Sequence, residues 1–165
     1  MNTLLLLLSL LSAVPVDNTN DRQSWAAYKE IGYLTGCNGA VLNTTTTCGD
    51  LRITGYNALT LEIRYDRAAG SGYEFYLESC SEGYGASDCG DATDWHRVAI
   101  EHPSPAGVML INEPFYRDIS SDEQLVFTIG IHYPRIRLAG VAGKGSPTAS
   151  DLLYVKARLS YLQAF

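Results

Sequence analysis

The strongest constraint on the fold of this sequence is an alternation of apolar and polar side chains. The alternation spans residues 59–65, stops at the glycine-containing segment 68–72, and resumes over residues 73–78. Because successive side chains of a β-strand point to opposite faces, a period of two places the apolar residues of a strand on one side of a sheet. Two such segments flanking a glycine-rich turn predict a β-hairpin with one buried face.

Strand-like segments recur along the rest of the chain, and we find no convincing helical period of 3.6 residues. Residues 125–132 are long and apolar, which predicts a central strand. Residues 25–35 predict a short helical turn and then a strand, and residues 140–150 predict a loop. Many short strands with frequent turns predict an all-β fold, an antiparallel β-sandwich of jelly-roll-like type. The other predicted strands are 95–101, 108–111, 114–117, 133–139 and 152–162.

An apolar run near the amino terminus precedes this domain, so we divide the chain into an arm with a polar linker (residues 1–24) and a β-sandwich domain (residues 25–165). The run is shorter than the roughly 20 residues that cross a bilayer. No Lys or Arg precedes it and its cleavage pattern is poor, which disfavours a secretory signal. We interpret it as a retained strand or arm, and a cleaved signal remains the alternative. The predicted assembly contacts are Leu4, Leu5, Leu6, Leu7, Leu8, Leu10 and Leu11.

The four cysteines, Cys37, Cys48, Cys80 and Cys89, fall into two local pairs. Of the three possible connectivities, the simplest joins Cys37 to Cys48 and Cys80 to Cys89. Disulfides would indicate an oxidising environment, such as that of a secreted protein or a virion surface. Free structural thiols are an alternative, and a zinc site is disfavoured because no close C-x-x-C pair exists.

Clusters of polar side chains that could carry chemistry have simpler interpretations. Asp88, Asp91 and Asp94 are close in sequence, but their spacing does not match a calcium-binding loop, so they predict a solvated acidic loop. The segment 143–147 lacks the pattern of a phosphate-binding loop or a nucleophile elbow and predicts a turn. His96, His102 and His132 belong to no metal or triad motif. We therefore expect no enzyme, no metal and no cofactor.

Three glutamates on the outward faces of the predicted strands are the remaining candidates for catalysis, because two facing carboxylates can hydrolyse a glycosidic bond. They are Glu62, Glu74 and Glu78. We expect them to pair across strands, with Arg64 or Arg97 as partners.

The charge of the chain excludes one class of partner. The formal net charge is −6, and no run of Lys or Arg occurs anywhere in the sequence. Binding of nucleic acid through phosphate contacts is therefore not expected. Charged residues make up only 18% of the chain, which suits a protein whose surface is covered by partners.

Three stretches of the chain resemble the small β-sandwich virion proteins of tailed bacteriophages. The opening MNTLLLLLSLLSA resembles the short apolar first strand of those proteins. GYNALTLEIRYDRAAGSGYEFYLESCSEG, followed by DWHRVAI, resembles their central section, with two strands and a "W-x-x-V" strand. YPRIRLAGVAGKGSPTASDLLYVKARLSYL resembles their closing section. The sequence departs from the pattern in two Cys-bounded loops, residues 36–49 and 79–94.

The resemblance implies a structural role in a virion, as a decoration, cement or neck-region protein. It implies binding to major capsid subunits, a homo-oligomer with a trimer favoured, and no catalytic residues. The alternative is a secreted β-sandwich module that binds carbohydrate or serves adhesion. Exposed aromatic side chains would stack on sugar rings in such a module, although a buried position is the simpler expectation for Trp95. The candidates are Trp25, Tyr84 and Trp95.

Overall fold

The computed structural model describes residues 28–53, 55–80, 89–98, 102–103, 109–110, 114–131 and 133–161. The described part of the chain is almost entirely β-strand, which confirms the predicted all-β class. Its one helical segment is a single 3-10 turn at Ala92–Asp94. The strands are β1 (Tyr28–Val41), β2 (Thr46–Arg52), β3 (Ala58–Asp66), β4 (Gly72–Cys80), β5 (Trp95–Arg97), β6 (His102–Pro103), β7 (Met109–Leu110), β8 (Phe115–Asp118), β9 (Glu123–Gly130), β10 (Arg135–Lys144) and β11 (Leu152–Ser160).

Two antiparallel sheets pack face to face. Sheet A has the order β1-β11-β3-β9. Sheet B has the order β2-β10-β4-β5, and β8 also pairs with β4. β10 pairs with one edge of β4. The other edge of β4 is shared by two strands: β8 pairs with the start of β4, and β5 pairs with its end.

The order in which the strands pair is that of a jelly roll. β1 pairs with β11, β2 with β10, β3 with β9 and β4 with β8, all antiparallel. The early strands therefore pair with the late ones in reverse order, as in a long antiparallel ribbon that is folded over into two sheets. β11–β3 and β10–β4 pairs then join these ribbon segments side by side. This is the double-sheet architecture that viral capsid domains, lectins and cupins use.

The apolar sets that the alternation predicted form the core between the sheets. Leu59, Leu61, Ile63 and Tyr65 have no exposed surface. On the same sheet, β11 adds every second residue from Leu153 to Leu159, and on the facing sheet β4 and β10 contribute buried residues of their own. The further members, all fully or almost fully buried, include Tyr73, Phe75, Leu77, Ile136, Leu138, Val141, Val155 and Ala157.

Two segments predicted as loops are strands that contain bulges. β1 continues through residues 36–41, and β10 continues to Lys144. The register of β1 shifts on either side of Asn38, and that of β10 shifts around Gly140. Gly36 and Gly140 have positive φ angles of 85° and 62°, and a Cβ on either would lie under 3 Å from a neighbouring atom. These loop predictions were wrong because glycine at a bulge resembles glycine in a turn.

The predicted central position of residues 125–132 was also wrong. Residues 125–130 belong to β9, which pairs with β3 on one side and is the last strand of sheet A in the described part of the chain, and residue 132 lies outside that part. The helical turn expected within residues 25–35 is absent from its described part, since β1 is extended from Tyr28 onward. The leucine run and the boundary after residue 24 lie outside the described residues.

Candidate functional site

The outer face of sheet A (the side chains of β1, β11, β3 and β9 that point away from the core) is the first candidate site. In the middle of this face the cross-strand partners form one row, Lys156, Glu62 and Val126. An adjacent row contains Tyr154, Arg64 and Gln124. The face therefore brings aromatic, charged and amide side chains from distant parts of the chain into contact.

Two tyrosines give this face its apolar component. The rings of Tyr33 and Tyr154 meet edge to face, with their centroids 6.3 Å apart. The Arg64 guanidinium lies 4.0 Å from the centre of the Tyr154 ring, and the Lys156 Nζ lies 5.1 Å from that of Tyr33. Tyr33 still exposes 42% of its surface. A flat, partly apolar surface with cations at its side is suited to binding a partner.

Two shallow depressions of about 220 Å³ each lie side by side on this face. They share Glu62 and Lys156 as lining residues. The Glu62 carboxylate accepts a hydrogen bond of 3.2 Å from the Gln124 amide, which holds the two side chains together across the β3–β9 pair. The first depression also contacts Glu30, Thr60, Val126 and Arg158, and the second contacts Tyr33, Arg64, Gln124 and Tyr154.

On the outer face of sheet B, charged side chains pair with one another, as Arg158 and Glu30 do on sheet A. Arg137 pairs with Glu78 at 2.9 Å, and Lys144 pairs with Glu74 at 2.8 Å. Arg97 lies over the ring of Tyr76 at 3.7 Å. The glutamates of this sheet pair across strands as predicted, but the predicted arginine was wrong: Glu78 pairs with Arg137 rather than Arg97. On the other sheet Arg64 pairs with Asp66 at 3.1 Å, not with a glutamate.

The side of the sandwich between β9 and β8 is the second candidate site. Leu125, Phe127 and Ile129 point inward from β9 but are only partly buried. Phe115 of β8 stacks on Phe127 at a centroid distance of 4.9 Å and on Phe75 of the core at the same distance. Within the described residues, these aromatic contacts are the main apolar bridge between the sheets along this side.

Hydrogen bonds tie the first residue of β9 to sheet B. The Glu123 carboxylate accepts hydrogen bonds from the Tyr73 hydroxyl at 3.1 Å and from the Arg117 guanidinium at 2.6 Å. Burial of the Tyr73 phenol raises its pKa above the ordinary value, and the neighbouring Glu123 carboxylate raises it further. Glu123 therefore anchors one end of β9 and leaves the remainder of its outer edge to other contacts.

The buried carboxylate of Asp151 organises the same end of the fold as Glu123, because Tyr65, which faces Glu123 across the β3–β9 pair, also contacts Asp151. It accepts backbone hydrogen bonds from Thr148 at 2.7 Å, and from Ala68 and Gly70 at 2.9 Å each. The Tyr65 hydroxyl donates a further bond of 2.8 Å. Burial by itself would raise the pKa of Asp151, but these donors outweigh it and hold the pKa well below its usual range. We assign Asp151 a structural role, since its oxygens are saturated by the protein's own donors.

The cysteines form two disulfides in the structure, Cys37–Cys48 and Cys80–Cys89. The first joins β1 of sheet A to β2 of sheet B and is fully buried. The second lies against Trp95, whose indole N–H donates a hydrogen bond of 3.1 Å to the Cys89 carbonyl. Trp95 is 8% exposed, so it is a buried aromatic and not a stacking platform.

The other predicted site residues do not converge. The Asp94 carboxylate accepts from the Asp91 N–H at 3.2 Å and caps the 3-10 turn. His96 lies exposed on β5, and His102 lies on β6. Asp88, His132, Trp25 and Tyr84 lie outside the described residues, as does the leucine run. Within the described ranges, no three His, Cys, Asp or Glu side chains are grouped so as to hold a metal ion.

No protein-family model matches this chain, and no curated protein matches it significantly. The function is therefore inferred from the surfaces of the fold. Among the residues that the structure describes, no helix is long and apolar enough to cross a membrane.

The tyrosine-rich segment 28–33 is a weaker sequence-based candidate for assembly contacts, but sequence reasoning missed the contact of Tyr33 with Tyr154 on the outer face of sheet A. Tyr33 and Tyr154 are separated by most of the chain and become neighbours only because β1 pairs with β11. The available signal was the outward position of Tyr154, between the apolar residues Leu153 and Val155. Its aromatic partner on β1 was hidden by the irregular pattern that the bulges create.

Proposed function

We propose that this chain is a structural virion protein, a decoration or cement protein that binds and stabilises neighbouring capsid subunits. The observation that carries the proposal is the reversed pairing of early and late strands, β1–β11 through β4–β8. Viral capsid domains are a recurrent use of this architecture. The resemblance of three stretches of sequence to phage virion proteins agrees with it.

The proposed mechanism is binding by extended surfaces. The outer face of sheet A offers tyrosines, and aromatic residues are enriched where protein interfaces form. The leucine run (residues 4–11) adds an apolar segment whose side chains each stabilise by about 1.5–3 kcal/mol when buried, before ordering costs. Many copies in a symmetric assembly, with a trimer as the favoured unit, would turn modest contacts into firm attachment.

The disulfides and buried hydrogen bonds of the domain suit such a role. The two disulfides and the saturated Asp151 carboxylate stabilise the fold without depending on a partner. A protein that stabilises a shell must itself resist unfolding. These features support the proposal.

The decisive experiment measures whether the chain is a component of purified particles. Particles from a culture that produces the chain are separated on a density gradient, and quantitative mass spectrometry compares the chain with the main shell protein. We expect a fixed stoichiometric ratio across the particle peak, and loss of genome at a lower temperature when the gene is deleted. A chain found only free in the medium would refute a virion role.

A secreted sugar-binding module is the second candidate, and the depression beside Tyr33 favours it. Tyr33 supplies an exposed ring, while Glu62, Gln124 and Arg64 supply acceptors and donors within the same hollow. Glycan-array binding that is lost in Tyr33→Ala would support this function. Tyr161→Ala is the matched control, because Tyr161 is 54% exposed and lies outside both depressions.

The intact mass of the native protein separates the two candidates further. A mature chain that begins near Val14 would have lost the leucine run and would favour the secreted module. A chain that keeps residues 4–11 retains the segment on which the assembly mechanism depends.

A further inference from the structure

The outer edge of β9 is an open sheet edge in the described part of the molecule. β9 pairs with β3 along eight consecutive positions without a register shift, and no described strand pairs with its other side. Its backbone therefore presents a regular row of hydrogen-bonding groups. Such an edge adds a further strand readily, from the same or another chain.

The side chains of β9 do little to block such pairing. Natural edge strands are usually protected by Lys, Pro, a bulge or short length. β9 has the sequence EQLVFTIG, which contains no Lys and no Pro. Val126 exposes 61% of its surface on the outer face, and Leu125 and Phe127 remain partly open on the inner face. Both faces of an added strand would therefore meet apolar surface.

The leucine run matches this edge in length and pattern. It contains eight residues, as β9 does. Alternation would place Leu4, Leu6, Leu8 and Leu10 on one face and would place Ser9 on the other. The all-leucine set fits the open apolar side between β9 and β8, and the set that contains Ser9 fits the outer face beside Val126 and Thr128.

The linker is long enough to reach a neighbouring molecule. β1 begins at Tyr28, in the same row of sheet A as Gly130 of β9 and three strands away. Three strand spacings amount to about 15 Å. Residues 12–27 can span about 50 Å when extended. This reach exceeds what pairing within one molecule requires, as expected of an arm that crosses to another subunit.

We propose that the open edge of β9 accepts the leucine run of a second copy of this chain as an added strand. The inference rests on the proposed assembly function and names the surface that receives the arm. Backbone hydrogen bonds would supply affinity, and burial of leucines against Leu125, Phe127 and Phe115 would set the orientation of the strand.

Cysteine cross-linking between two singly substituted proteins tests this pairing. One protein carries Val126→Cys, and the other carries one cysteine from the set Leu5→Cys, Leu7→Cys, Ser9→Cys and Leu11→Cys. Because facing residues of an antiparallel pair lie within disulfide range, we expect a mixed disulfide at one or two arm positions. Non-reducing gels and intact mass would show a species with the summed mass of the two chains.

The matched control is Lys156→Cys. Lys156 lies on the same face and in the same row as Val126, but on the interior strand β11. We expect no mixed disulfide with any arm position there. Equal cross-linking at both sites would refute strand addition at β9. No cross-link at Val126 would also refute it, since this side chain is exposed and its substitution leaves the core unchanged.

A doubly substituted chain distinguishes the remaining arrangement. If Leu7→Cys with Val126→Cys links only within one molecule, and the mixed single variants do not link, the arm belongs to its own β9 and the second-copy proposal is wrong. The particle measurement is independent of these outcomes. A chain that is stoichiometric in particles without cross-linking keeps its virion role and loses this mechanism of assembly.

Discussion

The two edges of sheet A are built differently. At the β1 edge, the Cys37–Cys48 disulfide joins the two sheets, and Leu42 at the end of β1 exchanges backbone hydrogen bonds of 2.9 Å with Asp151 and Gly143. At the β9 edge, Glu123 anchors one end, and the rest is closed by partly buried apolar side chains. The difference separates an edge that is cross-linked to the other sheet from an edge that, in the described part of the chain, is held mainly by apolar contacts.

The largest effect on stability is expected at Asp151, whose backbone carbonyl accepts from Leu42 at the β1 edge. Asp151→Asn replaces an acceptor by a group that presents an N–H₂ toward backbone donors, so several buried N–H groups lose their partner. We expect the free energy of unfolding to fall by about 3–5 kcal/mol, measured by urea denaturation. Asp118→Asn is the control, because this carboxylate is exposed and accepts one bond from Tyr116. Equal losses in both variants would contradict the structural role of Asp151.

A fall in pH should destabilise the fold through the same carboxylate. The folded pKa of Asp151 is depressed, so its contribution to stability is present above the unfolded pKa of about 3.9 and is lost as the pH falls below it toward the folded pKa. Unfolding midpoints measured between about pH 6 and pH 2 should therefore decline. In Tyr65→Phe, which removes one donor to Asp151, the decline should be shallower. An identical pH profile in that variant would argue against Asp151 as the titrating group.

The next largest loss of stability is expected from removing the disulfide at the β1 edge. A paired Cys37→Ser and Cys48→Ser substitution opens a loop with a sequence separation of 11 residues, and we expect a loss of about 3 kcal/mol. Calorimetry of the oxidised proteins measures it. The corresponding pair at Cys80 and Cys89 is the comparison, since that bridge closes a loop of similar length without joining the two sheets. The comparison would fail if removal of the Cys37–Cys48 bridge left the melting temperature unchanged.

The apolar contacts at the open edge should contribute less. Phe127→Ala removes a half-buried ring from the stack with Phe115, and we expect a loss of about 2 kcal/mol. Val126→Ala on the same strand is the control, because its side chain points to solvent. A loss as large as that of Asp151→Asn would mean that the β9 side is as firmly closed as the β1 side.

The smallest effect on stability is expected at Val126 itself. Val126→Lys adds the kind of charge that blocks edge pairing, and it should change the free energy of unfolding by less than about 0.5 kcal/mol. Size-exclusion chromatography with light scattering should nevertheless show reduced self-association. A variant that associates as fully as the parent protein would show that the edge of β9 is not the contact.

The glycines explain why some strands could not be predicted. In β1 and β10, glycines with positive φ angles accommodate bulges that keep the strand in its sheet while breaking the alternation. A single sequence offers the same glycine signal for a bulge as for a turn. The two-residue period was reliable at β3 and β11, where the register is continuous over the whole strand.

The sequence by itself determined the all-β class and the buried face of each regular strand, because the period of two is a local property of the chain. Only the tertiary structure decided which strands are neighbours. Residues 125–130 are apolar enough for a central strand, yet the pairing places them at an edge. The role of Asp151 and the contact of Tyr33 with Tyr154 likewise depend on segments far apart in sequence. Such contacts are fixed by the reversed pairing of early and late strands, which no local pattern specifies.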